Sequence, residues 1–401
     1  MTISNKRDFL RGDKQIWFIY IILSLFSIVV VYSATSNLAF REREGNTEYY
    51  LFKHTGTLIL GFIAAMVISR VNFQRFARVL RWALYLTPII LVYTYMRGES
   101  VGGASRWINL FGISLQTSDI ARLVLIANLA LMLSQRQHIE RDDYKLSTLN
   151  SILIWCGLIC GLLVPTSFST SVILAVTCFM VMLVGRVPWK HLFRLFLSIT
   201  FGIVLFVGVC IVFETQEVSF GRSSTIVDRT EAFLKTDLDG KDGIGGQIGK
   251  DNTQRDYALI AVASGGVMGV GPGHSYQKYK LPLAYSDYIY TIIIEEYGLI
   301  GGILTMALYL WLLYRGVFNI DNTQRPFGGL LCIGLTISIV FQAMVHMFIS
   351  VGLGPVTGQT LPMISLGGSS ALLTSIAIGM VLSVTHFEQN SVSQKRIRSR
   401  K

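Results

Sequence analysis

Long apolar runs separated by short polar segments dominate the chain. The runs are about 18 to 25 residues long, the length that an α-helix needs to cross the roughly 30 Å hydrocarbon core of a bilayer. This pattern predicts an all-α polytopic membrane protein with about ten transmembrane helices. The predicted spans cover residues 16–35, 49–69, 77–96, 118–134, 148–166, 169–185, 193–213, 286–314, 327–351 and 369–386.

Composition agrees with this assignment. The chain is 52% hydrophobic and 15% charged, whereas a soluble protein carries about 25% charged residues. The first apolar run follows basic residues, as the core of a signal peptide does, but it is too long for one. We therefore expect it to remain as the first membrane helix.

Basic residues are divided unevenly between the two sides of the predicted helices. When the N-terminus is placed in the cytoplasm, the cytoplasmic segments carry most of the Lys and Arg residues, as the positive-inside rule requires. An even number of spans returns the C-terminus to the cytoplasm. The net charge of +11 then reflects topology and attraction to membrane lipids, and we expect no nucleic-acid partner. The short outer loops hold Arg41, Arg43, Lys53, Arg97 and Arg106.

The chain is expected to form one membrane domain over residues 1–401. Its predicted parts outside the helices are a cytoplasmic N-terminus (1–15), a large extracytoplasmic loop between helices seven and eight (214–285) and a basic cytoplasmic tail (387–401). A loop of that length is usually functional or disordered. Its part from Tyr257 onward is apolar enough to form a short helix at the membrane surface.

Two further outer segments are unusual. Segment 97–117 is polar and glycine-containing, and connection 352–370 holds glycines and prolines that exclude a continuous helix. Non-helical backbone at membrane depth persists only where it is buried in protein or lines a wet cavity. We expect that arrangement for connection 352–370.

Asp287 lies where the long polar loop ends and the eighth apolar span begins. An ionisable group at the mouth of a membrane helix is costly unless it is used, although capping of the helix is a structural alternative. On an ideal helix, Glu295 is rotated from Asp287 by ~80° and Glu296 by ~180°. Neither is therefore expected to form a catalytic carboxylate pair with Asp287. Both glutamates need partners, and their role could be structural or functional.

The start of the fourth span combines opposite charges. Asp119 and Arg122 are three residues apart, share a helix face and can form an ion pair. The positive end of the helix dipole and the nearby Arg106 would favour an anionic headgroup at this corner. The alternative interpretation is an ion pair that only locks the fourth helix to a neighbour.

Three separate motifs, in order along the chain, resemble those of the SEDS (shape, elongation, division and sporulation) family. The resemblance extends over all ten predicted spans. Within the family, stretches 258–266 and 360–365 favour the cell-division member over the elongation member. The motifs are 106–109 with 116–122, then 269–278 with 281–282, 286–290 and 295–298, and finally 361–370.

The resemblance implies a peptidoglycan glycosyltransferase of the bacterial cytoplasmic (inner) membrane that serves septal wall synthesis. Such proteins polymerise lipid II, a disaccharide-pentapeptide on undecaprenyl diphosphate, at the outer membrane face. Expected partners are lipid II, the undecaprenyl-diphosphate-linked glycan, a class B penicillin-binding transpeptidase and other divisome membrane proteins. The resemblance assigns Asp287 as the essential acid. The candidate substrate-binding residues are Arg106, Gln116, Asp119, Arg122, Ser275, Lys278 and Ser370.

Five positions depart from the family pattern. Asp119 and Arg122 stand where Glu and Lys are usual, so the charges are kept but their reach changes. Leu283 and Tyr285 stand where Glu and His are usual, so no catalytic role is assigned to them. Leu366 replaces a common Tyr.

The resulting hypothesis makes Asp287 the general base on the acceptor sugar hydroxyl. Arg106, Arg122 and Lys278 would stabilise the departing diphosphate. A divalent cation, Mg or Mn, could share that task, although the sequence contains no dedicated ligand cluster. Three alternatives stay open, namely a lipid II flippase that uses Glu295 and Glu296 on a polar path, an elongation-type polymerase and a non-catalytic scaffold.

Overall fold

The fold is known from a computed structural model of the chain. The first nine residues, nearly all of the predicted seventh span and most of the predicted long loop lie outside the described part of the chain. The described residues are 10–42, 45–101, 104–110, 113–135, 146–193, 197, 253–281, 283–321, 325–354 and 357–398.

Helices occupy nine of the ten predicted spans, with ends within a few residues of the predicted ones in most cases. Seven helices, α1, α3, α4, α5, α9, α10 and α11, are long and apolar enough to cross a membrane, and α6 and α7 are shorter apolar helices. A short helix, α8, forms in the long loop where the sequence predicts one. The helices are α1 (Lys14–Ala34), α2 (Ser36–Glu42), α3 (Thr47–Arg70), α4 (Phe73–Arg97), α5 (Thr117–Ser134), α6 (Leu146–Leu163), α7 (Phe168–Val184), α8 (Thr253–Gly265), α9 (Ile289–Asp321), α10 (Pro326–Ser350) and α11 (Gly368–Arg398).

Helices α5, α10 and α11 form the centre of the molecule. Beyond its first turns, helix α5 is apolar on nearly all sides, and the helix is buried at nearly every position, as expected for a helix surrounded by others. Its one central amide, Asn128, donates to the backbone oxygens of Leu80 (2.8 Å) and Val124 (2.9 Å). The bond to Leu80 is buried in the protein and joins α5 to α4.

Small residues let α3 and α11 approach closely. A Cβ added at Gly379 would lie 2.9 Å from Ala65 Cα, and one added at Gly61 would lie 2.5 Å from Ser375 Oγ. Because lipid tails are as apolar as the side chains, membrane helices associate through such close packing and through interhelical hydrogen bonds. Ser375 supplies one of these, 3.0 Å from the hydroxyl of Tyr20 on α1.

A buried polar contact joins one end of α1 to α9 and α11. Asp13 caps α1 and accepts hydrogen bonds from Arg315 Nε (3.0 Å) and Asn319 Nδ2 (2.9 Å) of α9. Its backbone N–H donates to Thr385 Oγ1 of α11 (3.1 Å). According to the predicted orientation, this contact lies on the cytoplasmic side.

A three-stranded antiparallel sheet occupies most of the unusual segment 97–117, for which no strands were predicted from the sequence. Its strands are β1 (Glu99–Val101), β2 (Ala104–Leu110) and β3 (Ile113–Gln116), in the order β1-β2-β3. Strand β3 runs directly into α5, because its last residue is followed by Thr117, the first residue of that helix. The sheet therefore holds the beginning of α5 in place.

Helix α9 is interrupted at Gly298, which has non-helical backbone angles (φ 72°, ψ −176°). The loop after α8 lies against this break. Val270 N donates to Glu295 O (2.9 Å), and Leu299 N donates to Gly266 O (2.9 Å). The predicted eighth span was continuous, so the break is a difference from the prediction.

Candidate active site

Asp287 lies in a turn over residues 283–288, directly before α9. Its backbone N–H donates to Leu283 O (2.9 Å), and Ser286 Oγ donates to its Oδ1 (2.9 Å). Leu283 has φ 57°, a strained conformation for leucine. The eighth span was predicted to begin at residue 286, but α9 begins at Ile289. Asp287 is therefore half-buried on a hydrogen-bonded turn, and the helical rotation angles predicted from it do not apply.

Tyr285 lies two residues before this carboxylate, on the same turn. Burial raises its pKa above the ordinary value, and the negative charges of Glu42 and Asp287 raise the pKa further. The phenol consequently keeps its proton at neutral pH. Tyr285 thus presents a neutral hydroxyl at the position where the resemblance led us to expect a histidine.

The non-helical connection before α11 contacts the Asp287 turn. Ser365 Oγ donates to Ser286 O (2.8 Å), and Leu366 N donates to Tyr285 O (3.0 Å). Ile364 in the same segment is fully buried. The expected burial in protein thus holds for residues 361–365 of the connection, whereas Leu353 near its start is 69% exposed. These contacts place the third motif beside the second.

Asp119 and Arg122 form the ion pair predicted from their spacing. Arg122 Nη2 lies 3.4 Å from Asp119 Oδ1, and both side chains are buried in the first turns of α5. Ser370 of α11 lies near the Asp119 carboxylate. Two opposite charges buried together neutralise each other, so this corner is polar without a net charge.

Further hydrogen bonds join this corner to the closing motif. Gln116 N donates to Ser369 Oγ (3.2 Å), and Thr360 Oγ1 donates to Ser370 Oγ (3.1 Å). The structure therefore brings the predicted residues of α5 and α11 together around Gln116. Arg106 lies on β2, but its side chain is outside the described part of the chain, so its place in the site stays a prediction.

Glu295 is buried and accepts three hydrogen bonds from the loop before α9. The donors are the Ser275 hydroxyl, Tyr276 N (3.0 Å) and Gln277 N (3.2 Å). Hydrogen bonds from backbone N–H groups stabilise an ionised carboxylate that water cannot reach. Ser275, a predicted substrate-binding residue, is thus directly engaged with Glu295.

Glu296 is buried against a lysine from the same loop and a serine from α1. Lys278 Nζ lies 3.9 Å from Glu296 Oε1 and donates to Gly273 O (2.7 Å) and Ser33 Oγ (3.2 Å). The Ser33 hydroxyl donates to Glu296. Both glutamates therefore have partners, as their position in an apolar span led us to expect. The substrate-binding roles assigned to Ser275 and Lys278 stay predictions.

Some residues of these networks were not among the candidate site residues named from the sequence. Thr360 and Ser365 lie within a connection that its prolines and glycines had marked, so a signal was present. Ser33 had none, because serine is ordinary in a membrane helix. Among the described residues, no group of three or more His, Cys, Asp or Glu side chains could hold a metal ion.

Comparison with known proteins shows which family the chain belongs to. The family model of cell cycle proteins that covers FtsW, RodA and SpoVE matches residues 13–390. The chain belongs to this family. It is thus a multi-pass protein of the bacterial cytoplasmic membrane, and the resemblance to SEDS proteins is confirmed.

Similar curated proteins are named probable peptidoglycan glycosyltransferase FtsW. The Coxiella burnetii protein is 29% identical over 395 residues, covering 96% of this chain and all of its relative. The Hydrogenovibrio crunogenus protein is 31% identical over 381 residues, covering 93% and 92% of the two chains. The Bacillus subtilis protein is 26% identical over 390 residues, covering 96% and 93%.

Solved structures of the same fold support the architecture. A chain from a peptidoglycan synthase complex, described as coordinating polymerization and crosslinking, superposes with a TM-score of 0.69 at 21% identity and covers 94% of this chain and 98% of its own. The rod shape determining protein RodA of Thermus thermophilus gives a TM-score of 0.64 at 22% identity, with 93% and 96% covered. The prediction of an all-α polytopic membrane fold is confirmed, with the small sheet as an addition.

Proposed function

We propose that the chain is an FtsW-like peptidoglycan glycosyltransferase that polymerises lipid II at the outer face of the membrane during septal wall synthesis. Family membership and the names of the curated relatives support the reaction class. The observation that carries the proposal is the half-buried Asp287 on its hydrogen-bonded turn. A general base must be held in place and still be open to its substrate, and this carboxylate meets both conditions.

In the proposed reaction, Asp287 takes the proton of a sugar hydroxyl on lipid II, the acceptor. The freed oxygen bonds to the anomeric carbon of the growing glycan, the donor. The bond between that carbon and the lipid diphosphate breaks, and undecaprenyl diphosphate leaves with the electron pair. Asp287 then returns its proton to solvent. The bond from Ser286 to Asp287 orients the carboxylate for this step.

The departing diphosphate needs positive charge. Arg106, Arg122 and Lys278 are our candidates from the sequence. A divalent cation could share this role, but no step is assigned to one here. Arg122 lies in the buried corner with Asp119, so we expect it to act on the substrate through the position of α5 as much as by direct contact.

A crosslinking partner follows from the same family. The related chain in the peptidoglycan synthase complex supports pairing of a polymerase with a crosslinking enzyme. We propose that this chain pairs in the same way with a class B penicillin-binding transpeptidase. The curated FtsW relatives favour a division role over an elongation role.

A lipid II flippase is the second candidate function. It would need charged groups on an open polar path, but Glu295 and Glu296 are buried and bonded to the loop before α9. The glycosyltransferase is therefore favoured.

One experiment separates the two functions. Labelled lipid II is supplied to the purified full chain, alone and with its transpeptidase, and glycan polymer is resolved on a gel. The same preparation in vesicles is assayed for lipid II translocation. We expect polymer and no translocation above protein-free vesicles. Translocation without polymer would reject the proposed function.

A further inference from the structure

A small pocket of about 230 Å³ lies between α2 and the turn that carries Asp287. Asn37 of α2 joins the two sides, because its Nδ2 donates to Tyr279 O (3.0 Å). Tyr285, two residues before Asp287, lines the pocket on the turn side. Leu38, Arg41 and Glu42 line it on the α2 side, and Leu281, Leu283 and Ala284 line it on the side of the turn.

Arg41 places an exposed positive charge at this pocket. It is exposed near the end of α2 and makes no hydrogen bond or ion pair with any residue that the structure describes. The neighbouring carboxylate, Glu42, accepts a hydrogen bond from Tyr50 of α3 (2.6 Å). The Glu42 carboxylate is thus bonded to α3, whereas the Arg41 guanidinium is available to bind a ligand.

Lys278, the other cation that lines the pocket, is already engaged. The ammonium of Lys278 has three neighbours inside the protein, Gly273 O, Ser33 Oγ and Glu296 Oε1. Arg122 is buried beside Asp119. An anion in this pocket would therefore meet Arg41 first, with a planar guanidinium that suits bidentate binding of phosphate oxygens.

The pocket also offers apolar surface beside this charge. Leu281 and Ala284 are buried in its wall, whereas Leu283 is 45% exposed. Leu38 of α2 faces them across the pocket. A site that combines one unengaged cation, Arg41, with an apolar wall fits an anionic head attached to a hydrocarbon chain better than it fits a free soluble anion.

We propose that Arg41 binds the diphosphate of the lipid-linked substrate, with the first isoprene units against Leu38 and Leu283. The proposal rests on the proposed function, which supplies an undecaprenyl diphosphate at this face. It adds a substrate-binding residue on α2 that neither the sequence motifs nor the resemblance contains. Arg41 positions the leaving group beside Asp287 and takes no proton itself.

Binding of undecaprenyl diphosphate and of the uncharged undecaprenol to the purified full chain tests this role. Losing a charge-assisted hydrogen bond costs about 1.5–3 kcal/mol, so we expect Arg41→Ala to weaken undecaprenyl diphosphate binding by about tenfold or more. Arg41→Lys should retain part of the affinity, and undecaprenol should bind all variants equally. Lys53→Ala is the matched control, because Lys53 is exposed on the same predicted side and does not line the pocket.

The outcomes separate this inference from the proposed function. Unchanged diphosphate affinity in Arg41→Ala, or an equal loss in Lys53→Ala, would overturn the role of Arg41 even if the chain polymerises lipid II. A selective loss in Arg41→Ala would support that role even if no polymer forms, in which case only the proposed function fails. Equal losses for the diphosphate and the alcohol would point to disturbed folding of α2 and would also overturn a diphosphate contact.

Discussion

Lys278 and Glu296 are two residues of opposite charge, and each serves as the counter-charge of the other. Both are buried, and Ser33 bridges them from α1. Breaking a buried pair by removing one partner is strongly destabilising, because the remaining charge has lost both water and its counter-charge. Removing both charges together leaves no such penalty.

We expect Lys278→Met to lower the stability of the protein by about 3–5 kcal/mol. The double variant Lys278→Met with Glu296→Gln should recover most of that loss, since no buried charge remains. The midpoint of thermal unfolding in detergent measures both. A single variant as stable as the wild type that binds substrate more weakly would instead support the predicted substrate contact of Lys278.

Sequence spacing reveals residue contacts only when they are local. Asp119 and Arg122 are one helical turn apart, so helix geometry alone predicts their pairing. Ser33 and Glu296 are 263 positions apart, and no periodicity connects α1 with α9. The need of Glu296 for a partner could be inferred from its apolar span, whereas the identity of that partner required the fold.

At the scale of elements, glycines set the contact between the α8–α9 loop and α9. A Cβ at Gly298 would lie 2.2 Å from Val267 O, and one at Gly269 would lie 2.3 Å from Glu296 O. Both glycines have positive φ, where other residues are strained. The loop that supplies Ser275 and Lys278 therefore reaches the two glutamates only because these backbones can touch.

Gly298→Ala should destabilise the protein by about 1–3 kcal/mol or more, because the added Cβ meets the backbone of the loop and alanine is strained at this positive φ. Gly157→Ala is the control, because a Cβ at Gly157 in α6 meets nothing within 4 Å. Thermal unfolding of both variants gives the comparison. Equal midpoints would contradict the close approach at Gly298.

Elements were predictable from the sequence to the extent that hydrophobicity defines them. The apolar runs locate the membrane helices because the bilayer demands about 20 apolar residues per span. The sheet over 99–116 escaped prediction because its strands are short and carry no long alternating pattern. The break at Gly298 escaped because flanking apolar residues continue the helical pattern through it.

At the scale of the whole molecule, the position of the site depends on which side of the membrane each end faces. The structure joins Asp13 of α1 to α9 and α11 at one end and gathers the Asp287 turn, the closing motif and the start of α5 at the other. The distribution of basic residues predicts that the Asp287 end faces outward.

Labelling with a membrane-impermeant maleimide tests this orientation in intact cells. Lys280→Cys and Lys190→Cys, each in a cysteine-free background, place exposed thiols on the two predicted sides. We expect Lys280→Cys to react from outside and Lys190→Cys to react only after permeabilisation. The reverse pattern would place Asp287 on the cytoplasmic side and would contradict polymerisation at the outer face of the membrane.

The most direct test of the whole account is polymerisation of labelled lipid II by the purified Asp287→Asn variant. General base catalysis contributes about 10²- to 10⁴-fold, so we predict a loss of polymer of that order while binding of undecaprenyl diphosphate is kept. Glu48→Gln is the control, because Glu48 is an exposed carboxylate at the start of α3, and it should polymerise as the wild type does. Full polymer formation by Asp287→Asn would contradict the assignment of Asp287 as the general base.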